Sequence, residues 1–183
     1  MQTRLLTVAM VVIAVSAAVG MSAFTTGEVT RSSNVDVVND DVGLLGLVDG
    51  NSGDLVQKNG TGALTIDFTR GGKASGVNTA ATFELGDPAA PGTTQAFNIT
   101  NNDASSRDLT ISYDIADDTN TAANIQFRVY DKAGTEVANV TDETTSDTIT
   151  GAASGATYAV VIVVDTHGLD TTANLSGTLK VSA

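Results

Sequence analysis

One histidine and no cysteine occur among the 183 residues, and this limits the chemistry the chain can perform. A zinc hydrolase needs several imidazole or thiolate ligands, which this sequence does not hold. A hydrolytic triad would have to use His167, yet no Gly-x-Ser-x-Gly elbow accompanies it. His167 stands in a Thr166-His167-Gly168 turn after an apolar run and reads as a surface histidine. An enzyme would have to work with paired carboxylates, and 21 scattered Asp and Glu residues single out no pair. The sequence therefore nominates no catalytic residue and no cofactor.

Oxygen chemistry is better represented. Asp49-Gly50-Asn51-Ser52-Gly53-Asp54 sets oxygen-bearing side chains at alternate positions, a spacing that suits Ca²⁺, with Asp49, Asn51 and Asp54 as the candidate ligands. The segment lacks the later bidentate Glu of the helical calcium loop, and Asp-Gly and Ser-Gly are also turn signals. A plain turn is the competing reading. The acidic pairs Asp40-Asp41 and Asp117-Asp118 read as solvated loops. Four Asn-x-Ser/Thr sequons, at Asn59, Asn98, Asn139 and Asn174, are acceptors for N-linked glycan in an exported chain. Asn98 lies between Phe97 and Ile99, so alternation turns it outward.

The elements that must position these residues are short strands. From Arg107 to Ile115, Leu109, Ile111, Tyr113 and Ile115 alternate with Asp108, Thr110, Ser112 and Asp114, which predicts a strand with one buried and one wet face. Leu64–Phe68 and Ile125–Tyr130 alternate in the same way. Asn174–Val181 places Leu175, Leu179 and Val181 on one face, with Gly177 marking a bulge or a close approach. Tyr158–Val164 is apolar on both faces and predicts a central strand, sandwiched between layers or covered by a loop. Further strands are expected at Val35–Val38, Leu44–Val48, Ala81–Leu85 and Gln95–Thr100. Between them lie Gly71-Gly72, Asp87-Pro88, Pro91-Gly92, Asn101-Asn102-Asp103 and Asp131–Gly134, all turn formers. The pattern predicts an all-β chain, a single antiparallel β-sandwich, with no helix in its exported part.

The N-terminal segment sets the location. Arg4 supplies a positive charge, an apolar run follows from Leu5 to Val19, and Gly20, Ser22 and Ala23 close it, as in a secretory signal peptide. We expect a signal helix over residues 1–23, cleaved after Ala23 by an export signal peptidase, and one domain over 24–183. A cut after Gly20 is the nearest rival. A retained anchor is the alternative, since no charge occurs from Leu5 to Gly27 and roughly 20 residues span a bilayer. Membrane contact would then run through this segment alone. Removing residues 1–23 leaves 8 basic against 21 acidic residues, a net charge of −13. That argues against nucleic acid and anionic lipid as partners. Four lysines with abundant Asp, Thr, Ala, Gly and Val suit a protein of molar salt, where the Debye length falls to about 3 Å. An ordinary acidic secreted protein is the competing description. The absence of Trp weighs against a carbohydrate-binding module, whose platforms use exposed aromatics.

Several stretches in order carry a family resemblance. They are Ser22-Ala23-Phe24-Thr25, Asp41-Val42-Gly43-Leu44-Leu45-Gly46-Leu47, Leu64-Thr65-Ile66-Asp67-Phe68, Gly76-Val77-Asn78 and Phe97-Asn98-Ile99-Thr100-Asn101-Asn102. The chain resembles a secreted haloarchaeal family of unknown function with SipW-dependent-type signal peptides and, more distantly, the TasA/camelysin group of biofilm-fibre proteins. The resemblance implies a jelly-roll-like sandwich exported to the cell surface. Its TasA-like side implies a head-to-tail polymer of copies of this chain, in which an N-terminal strand of one subunit completes the sheet of the next. Camelysins are labelled metallopeptidases, and here the sequence departs, because one histidine cannot build a histidine-based zinc site. Phe24–Val38, where Val35 and Val37 alternate with Asn34 and Asp36, would be the donated strand; it could equally fold back as the first strand of its own domain. A monomeric envelope-associated binding module, taking up calcium through Asp49–Asp54, is the alternative function.

Overall fold

In the runs with the strongest alternation, Arg107–Ile115 and Ile125–Tyr130, the backbone is extended and paired. The computed structural model describes residues 37–70, 75–115 and 122–183. In chain order its strands are β1 (Leu45–Asp49), β2 (Val56–Lys58), β3 (Leu64–Ile66), β4 (Thr82–Leu85), β5 (Phe97–Asn101) and β6 (Arg107–Ile115). After these come β7 (Ile125–Tyr130), β8 (Glu136–Thr141), β9 (Ser146–Ala152), β10 (Thr157–Asp165) and β11 (Gly177–Ser182). Among the described residues there is no helix, and so none long and apolar enough to cross a membrane. The signal segment, the cleavage position after Ala23, most of the Phe24–Val38 donor strand, Gly71-Gly72 and Asp117-Asp118 lie outside the described residues.

All ladders are antiparallel. The larger sheet runs β1-β5-β10-β7-β8, the smaller one runs β11-β6-β9, and β2 and β3 form a hairpin of their own. β10 is the spine of the larger sheet. Along one edge it pairs β7 from Ala159 to Val164. Its other edge is shared: β5 takes Thr157–Val160 and β4 takes Ile162–Asp165. The chain between β4 and β5 makes an excursion over residues 86–95, closed by a bridge between Gly86 and Gln95.

Both sheets contribute to one hydrophobic cluster within the unit Val37–Ala183, a sandwich-like arrangement. Phe97 and Ile99 of β5, Leu109 and Ile111 of β6, Phe127 and Val129 of β7, Val140 of β8, and Val160 and Ile162 of β10 are all essentially inaccessible to solvent. Tyr113 and Phe127 meet across the sheets with ring centroids 5.0 Å apart, a tilted contact of the kind aromatic quadrupoles favour. Each such side chain stabilises the fold by about 1.5–3 kcal/mol relative to exposure. Val161, on the opposite face of β10, is equally buried, because the 86–95 excursion folds over it. Gly86, at φ +97°, lies so close that a Cβ there would sit 3.0 Å from the Val161 Cγ2. Gly177 is the other close approach: a Cβ would meet the Asp114 carbonyl at 2.5 Å and the Tyr113 ring at 2.6 Å.

β6 and β7 have the expected bounds, and β10 exceeds its expected run by one residue at each end. β11 begins at Gly177 rather than Asn174, because the Asn174 side chain accepts the Ser176 amide and turns the chain there. Leu175 nevertheless packs against the core. Val37 and Val38 belong to no strand and are 99% and 51% exposed. Three strands go beyond the sequence expectation, β2, β8 and β9. β2 is three residues long, and β9 buries only Ile149 and Ala152, too little apolar surface to announce a strand.

The facing of β10 and β6 can be measured. Ile162→Asp places an unpaired carboxylate where no solvent reaches, at a cost of several kcal/mol, comparable to the stability of a domain of this size. Asp114→Asn, on the exposed face of β6, should shift stability by no more than about 0.5 kcal/mol. Thermal melts of the two variants should differ widely, and equal tolerance would mean that the strand faces are wrongly assigned.

Candidate functional site

The Asp49–Asp54 segment sits where β1 runs out against the start of β5. Asp49 is paired with Phe97. Beyond it the ladder continues irregularly: Gly50 N–H donates to Ala96 O at 2.9 Å, and both Asn51 and Ser52 donate to Gln95 O, at 3.0 and 3.2 Å. Gly50 is required by this contact, since a Cβ there would lie 2.1 Å from the Gln95 carbonyl oxygen. Asn51 spends its side chain on the 86–95 excursion, donating to Thr93 O at 2.6 Å and accepting from Gln95 N–H at 3.1 Å. Asp54 is exposed.

The oxygens without partners at this junction are a different set. Asp49 Oδ1, Ser52 Oγ and Gln95 Oε1 are all buried and make no hydrogen bond. A buried carboxylate or amide oxygen without a donor carries its full desolvation cost, on the order of 1–3 kcal/mol, more for a charged group. Ser52 and Gln95 were not among the residues the sequence picked out. Gln95 is remote in the chain and reaches Ser52 only through the β1–β5 register, which no local spacing announces. Among the described residues no three His, Cys, Asp or Glu side chains group as metal ligands, and of the three partnerless oxygens here only that of Asp49 belongs to a carboxylate.

His167 is exposed and turns back on its own strand end. Asp165 Oδ1 accepts the His167 backbone N–H at 3.0 Å and lies 2.6 Å from the ring Nδ1. The His167 N–H and ring hold the Asp165 carboxyl below the ordinary carboxylate value. The pair closes a turn, as the Thr-His-Gly sequence suggested.

Asp40 and Asp41 are not a solvated loop. Asp40 donates its N–H to Gly62 O, accepts Leu47 N–H at its carbonyl at 2.7 Å, and accepts Leu64 N–H at Oδ2 at 2.8 Å. Asp41 pairs with Lys58, whose ammonium holds the carboxyl below its usual value. Together they latch the β2–β3 hairpin to the edge of β1.

The four sequons fall into two groups. Asn98 is in β5, inside the larger sheet, and Asn139 is in β8; both are half-buried. Asn59 and Asn174 are exposed and lie outside strands.

Two surface features remain. A cleft of about 730 Å³ opens beside β3 and β11, lined by Leu64, Ile66, Val77, Tyr113, Phe127 and Leu179 among others. The Tyr113 hydroxyl donates to Leu175 O at 2.5 Å, tying the lead-in of β11 to β6. The large apolar side chains that are exposed among the described residues, Val37, Val38, Val42 and Leu44, all belong to the segment that enters β1. No family model matches this chain, and no curated protein matches it.

Burial, and after it the nearby Asp142 carboxylate, pushes the Tyr113 hydroxyl up to about 12 from an ordinary value of 10.0. Below the ordinary value both folded and unfolded chains hold this proton. As pH rises past it the unfolded chain ionises first, so stability falls until the folded value is passed. Melting temperatures followed from pH 9 to 12 should drop, and Tyr113→Phe should show a shallower drop over that window. Identical slopes would mean that Tyr113 is not held in the environment described.

Proposed function

We propose that this protein is a non-enzymatic, exported structural protein of an archaeal cell surface, a filament or biofilm-matrix subunit. In this reading residues 1–23 form a signal helix that is removed after Ala23. Residues 24–183 form the jelly-roll-like sandwich, and Phe24–Val38 is donated as a strand to the next copy. The observation that carries the proposal is the segment from Val37 to Leu44. It gathers the large exposed apolar side chains of the described chain, where a soluble domain would ordinarily scatter them. Two features support an acceptor. Among the described residues β11 ends the smaller sheet and pairs on one side only, with β6, and an apolar cleft lies beside it. An unpaired edge offers backbone hydrogen bonds to an incoming strand, and the neighbouring pockets set register. Head-to-tail contacts of this kind give open fibres when the rotation does not close.

Electron microscopy of the mature protein in molar salt should show fibres, and deletion of residues 24–38 should abolish them. Monodisperse monomers at high concentration, with and without that segment, would sink the proposal.

A second reading, a calcium-binding envelope module, is favoured by the partnerless buried oxygens of Asp49, Ser52 and Gln95. A cation bound only by the native state stabilises it by mass action, about 2.7 kcal/mol at a hundredfold excess over Kd. For a domain of this length that is a rise on the order of 5–10 °C. Calcium should raise the melting temperature of the native chain and leave that of Asp49→Asn unmoved. No shift at millimolar calcium removes this reading.

A further inference from the structure

We propose that Asn59 is the N-glycosylation acceptor of this protein, and that the sequons at Asn98 and Asn139 are closed by the fold; the assignment rests on the export reading given above. A transferase that reads a sequon must reach the Asn carboxamide and the hydroxyl two residues on together. Asn59-Gly60-Thr61 forms the tip of the hairpin between β2 and β3, and all three residues are exposed. The turn is built by the sequon itself. Asn59 Oδ1 accepts the Thr61 N–H at 2.9 Å, the Thr61 hydroxyl at 2.7 Å and the Ala63 N–H at 3.0 Å. Asn59 and Ala63 close the backbone loop, with an N–H to carbonyl distance of 2.8 Å. The amide oxygen is therefore saturated, while Nδ2 makes no hydrogen bond on an exposed side chain. Nothing lies within 4 Å of where a Cβ on Gly60 would stand, so an enzyme can approach the middle of the triplet as well.

The other sequons lack this combination. Asn98 is paired with Val48 on one side and Ala159 on the other, and Thr100 is engaged with Thr157 at 3.1 Å. Opening that triplet means pulling β5 out of the sheet. In β8 the Asn139 Oδ1 is buried, and Thr141 is 7% exposed with its hydroxyl accepting the Glu143 and Thr144 N–H groups. Asn174 is exposed, but its middle residue is pinned: Leu175 packs on the core and its carbonyl holds the Tyr113 hydroxyl.

The co-substrate is a glycan carried on a lipid phosphate. Asn59 Nδ2 forms a bond to the anomeric carbon of the first sugar, and the bond from that carbon to the phosphate oxygen breaks. Its electron pair leaves with the lipid phosphate, and one Nδ2 proton passes to a base of the transferase. The product is an N-glycoside at the hairpin tip, with no change of oxidation state.

The test is peptide mass spectrometry on native protein from the producing organism, reading the N terminus and all four sequons on the same sample. Glycan is expected on the Asn59 peptide and absent from those of Asn98 and Asn139. Thr61→Ala, which leaves Asn59 in place, should remove the glycan, and Thr61→Ser should retain it. Bare Asn59 on protein that starts at Phe24, or glycan on Asn98 or Asn139, overturns the assignment while leaving export intact. Bare Asn59 on intracellular protein still carrying Met1 overturns both.

Discussion

Seven consecutive apolar residues, from Tyr158 to Val164, cannot lie in a strand that faces water on either side. Burying one face of β10 against the smaller sheet leaves Ala159, Val161 and Val163 on the other, and Val161 is nevertheless fully buried. The fold meets this constraint with two neighbours along one edge. β4 and β5 divide that edge between them, and the chain joining them is folded over the outer face. Gly86 is needed where the excursion begins, because a side chain there would strike Val161. The position of the 86–95 excursion in turn fixes Gln95 and Thr93, and with them the junction at the end of β1. The proposed cation site and the central strand are thus consequences of the same burial requirement.

The chain has no disulfide to hold its irregular segments, and side chains bonded to backbone take over that task. Asn101, 1% exposed, donates from β5 to Ser105 O and to Ala152 O of β9, and so joins the two sheets. Asp142, 4% exposed, accepts the Asn124 and Ile125 N–H groups and fastens the end of β8 to the start of β7. Asp40 does the same between β1 and the β2–β3 hairpin, and Asn51 between β1 and the excursion. A bond of this type contributes only about 0.5–1.5 kcal/mol net, up to about 3 when one partner is charged. Their larger effect is negative, since removing one partner strands a buried group. Two residues that look like solvated turn formers, Asn101 and Asp142, are therefore fully buried.

Legibility followed the strength of alternation. β6, β7 and β10 could be read because each carries three or more large apolar residues on its inward face. β8 and β9 could not, because Ala138, Val140, Ile149 and Ala152 are the only strongly buried apolar residues they offer, and polar or small residues fill most of the remainder. The candidate site was half legible. Asp49 was visible in the Asp-Gly-Asn-Ser-Gly-Asp spacing, but the same spacing promoted Asn51, which is spent on Thr93, and Asp54, which is exposed. Gln95 enters only through strand register. For the sequons the sequence could supply the triplets and the outward turn of Asn98. It could not supply the difference between a triplet at a hairpin tip and one locked between two ladders.

Charge bears on any assembly of this chain. Residues 24–183 carry a net −13, and among the described residues three of the six Lys and Arg side chains are paired: Lys58 with Asp41, Arg107 with Asp103, Arg128 with Glu136. Little positive surface is left to attract a second copy, so electrostatics alone oppose self-association. The opposing term is short-ranged and apolar, namely the four aliphatic side chains between Val37 and Leu44 and the backbone of a sheet edge left unpaired among the described residues. Repulsion between such subunits reaches about 8–10 Å at ordinary ionic strength and about 3 Å in molar salt, while burial of aliphatic surface does not weaken over that range. In the filament proposed above, such a subunit would stay dispersed where salt is low and associate where it is high. Under that proposal, the acidic surface and the exposed aliphatic segment entering β1 would together set a salt-dependent threshold for assembly.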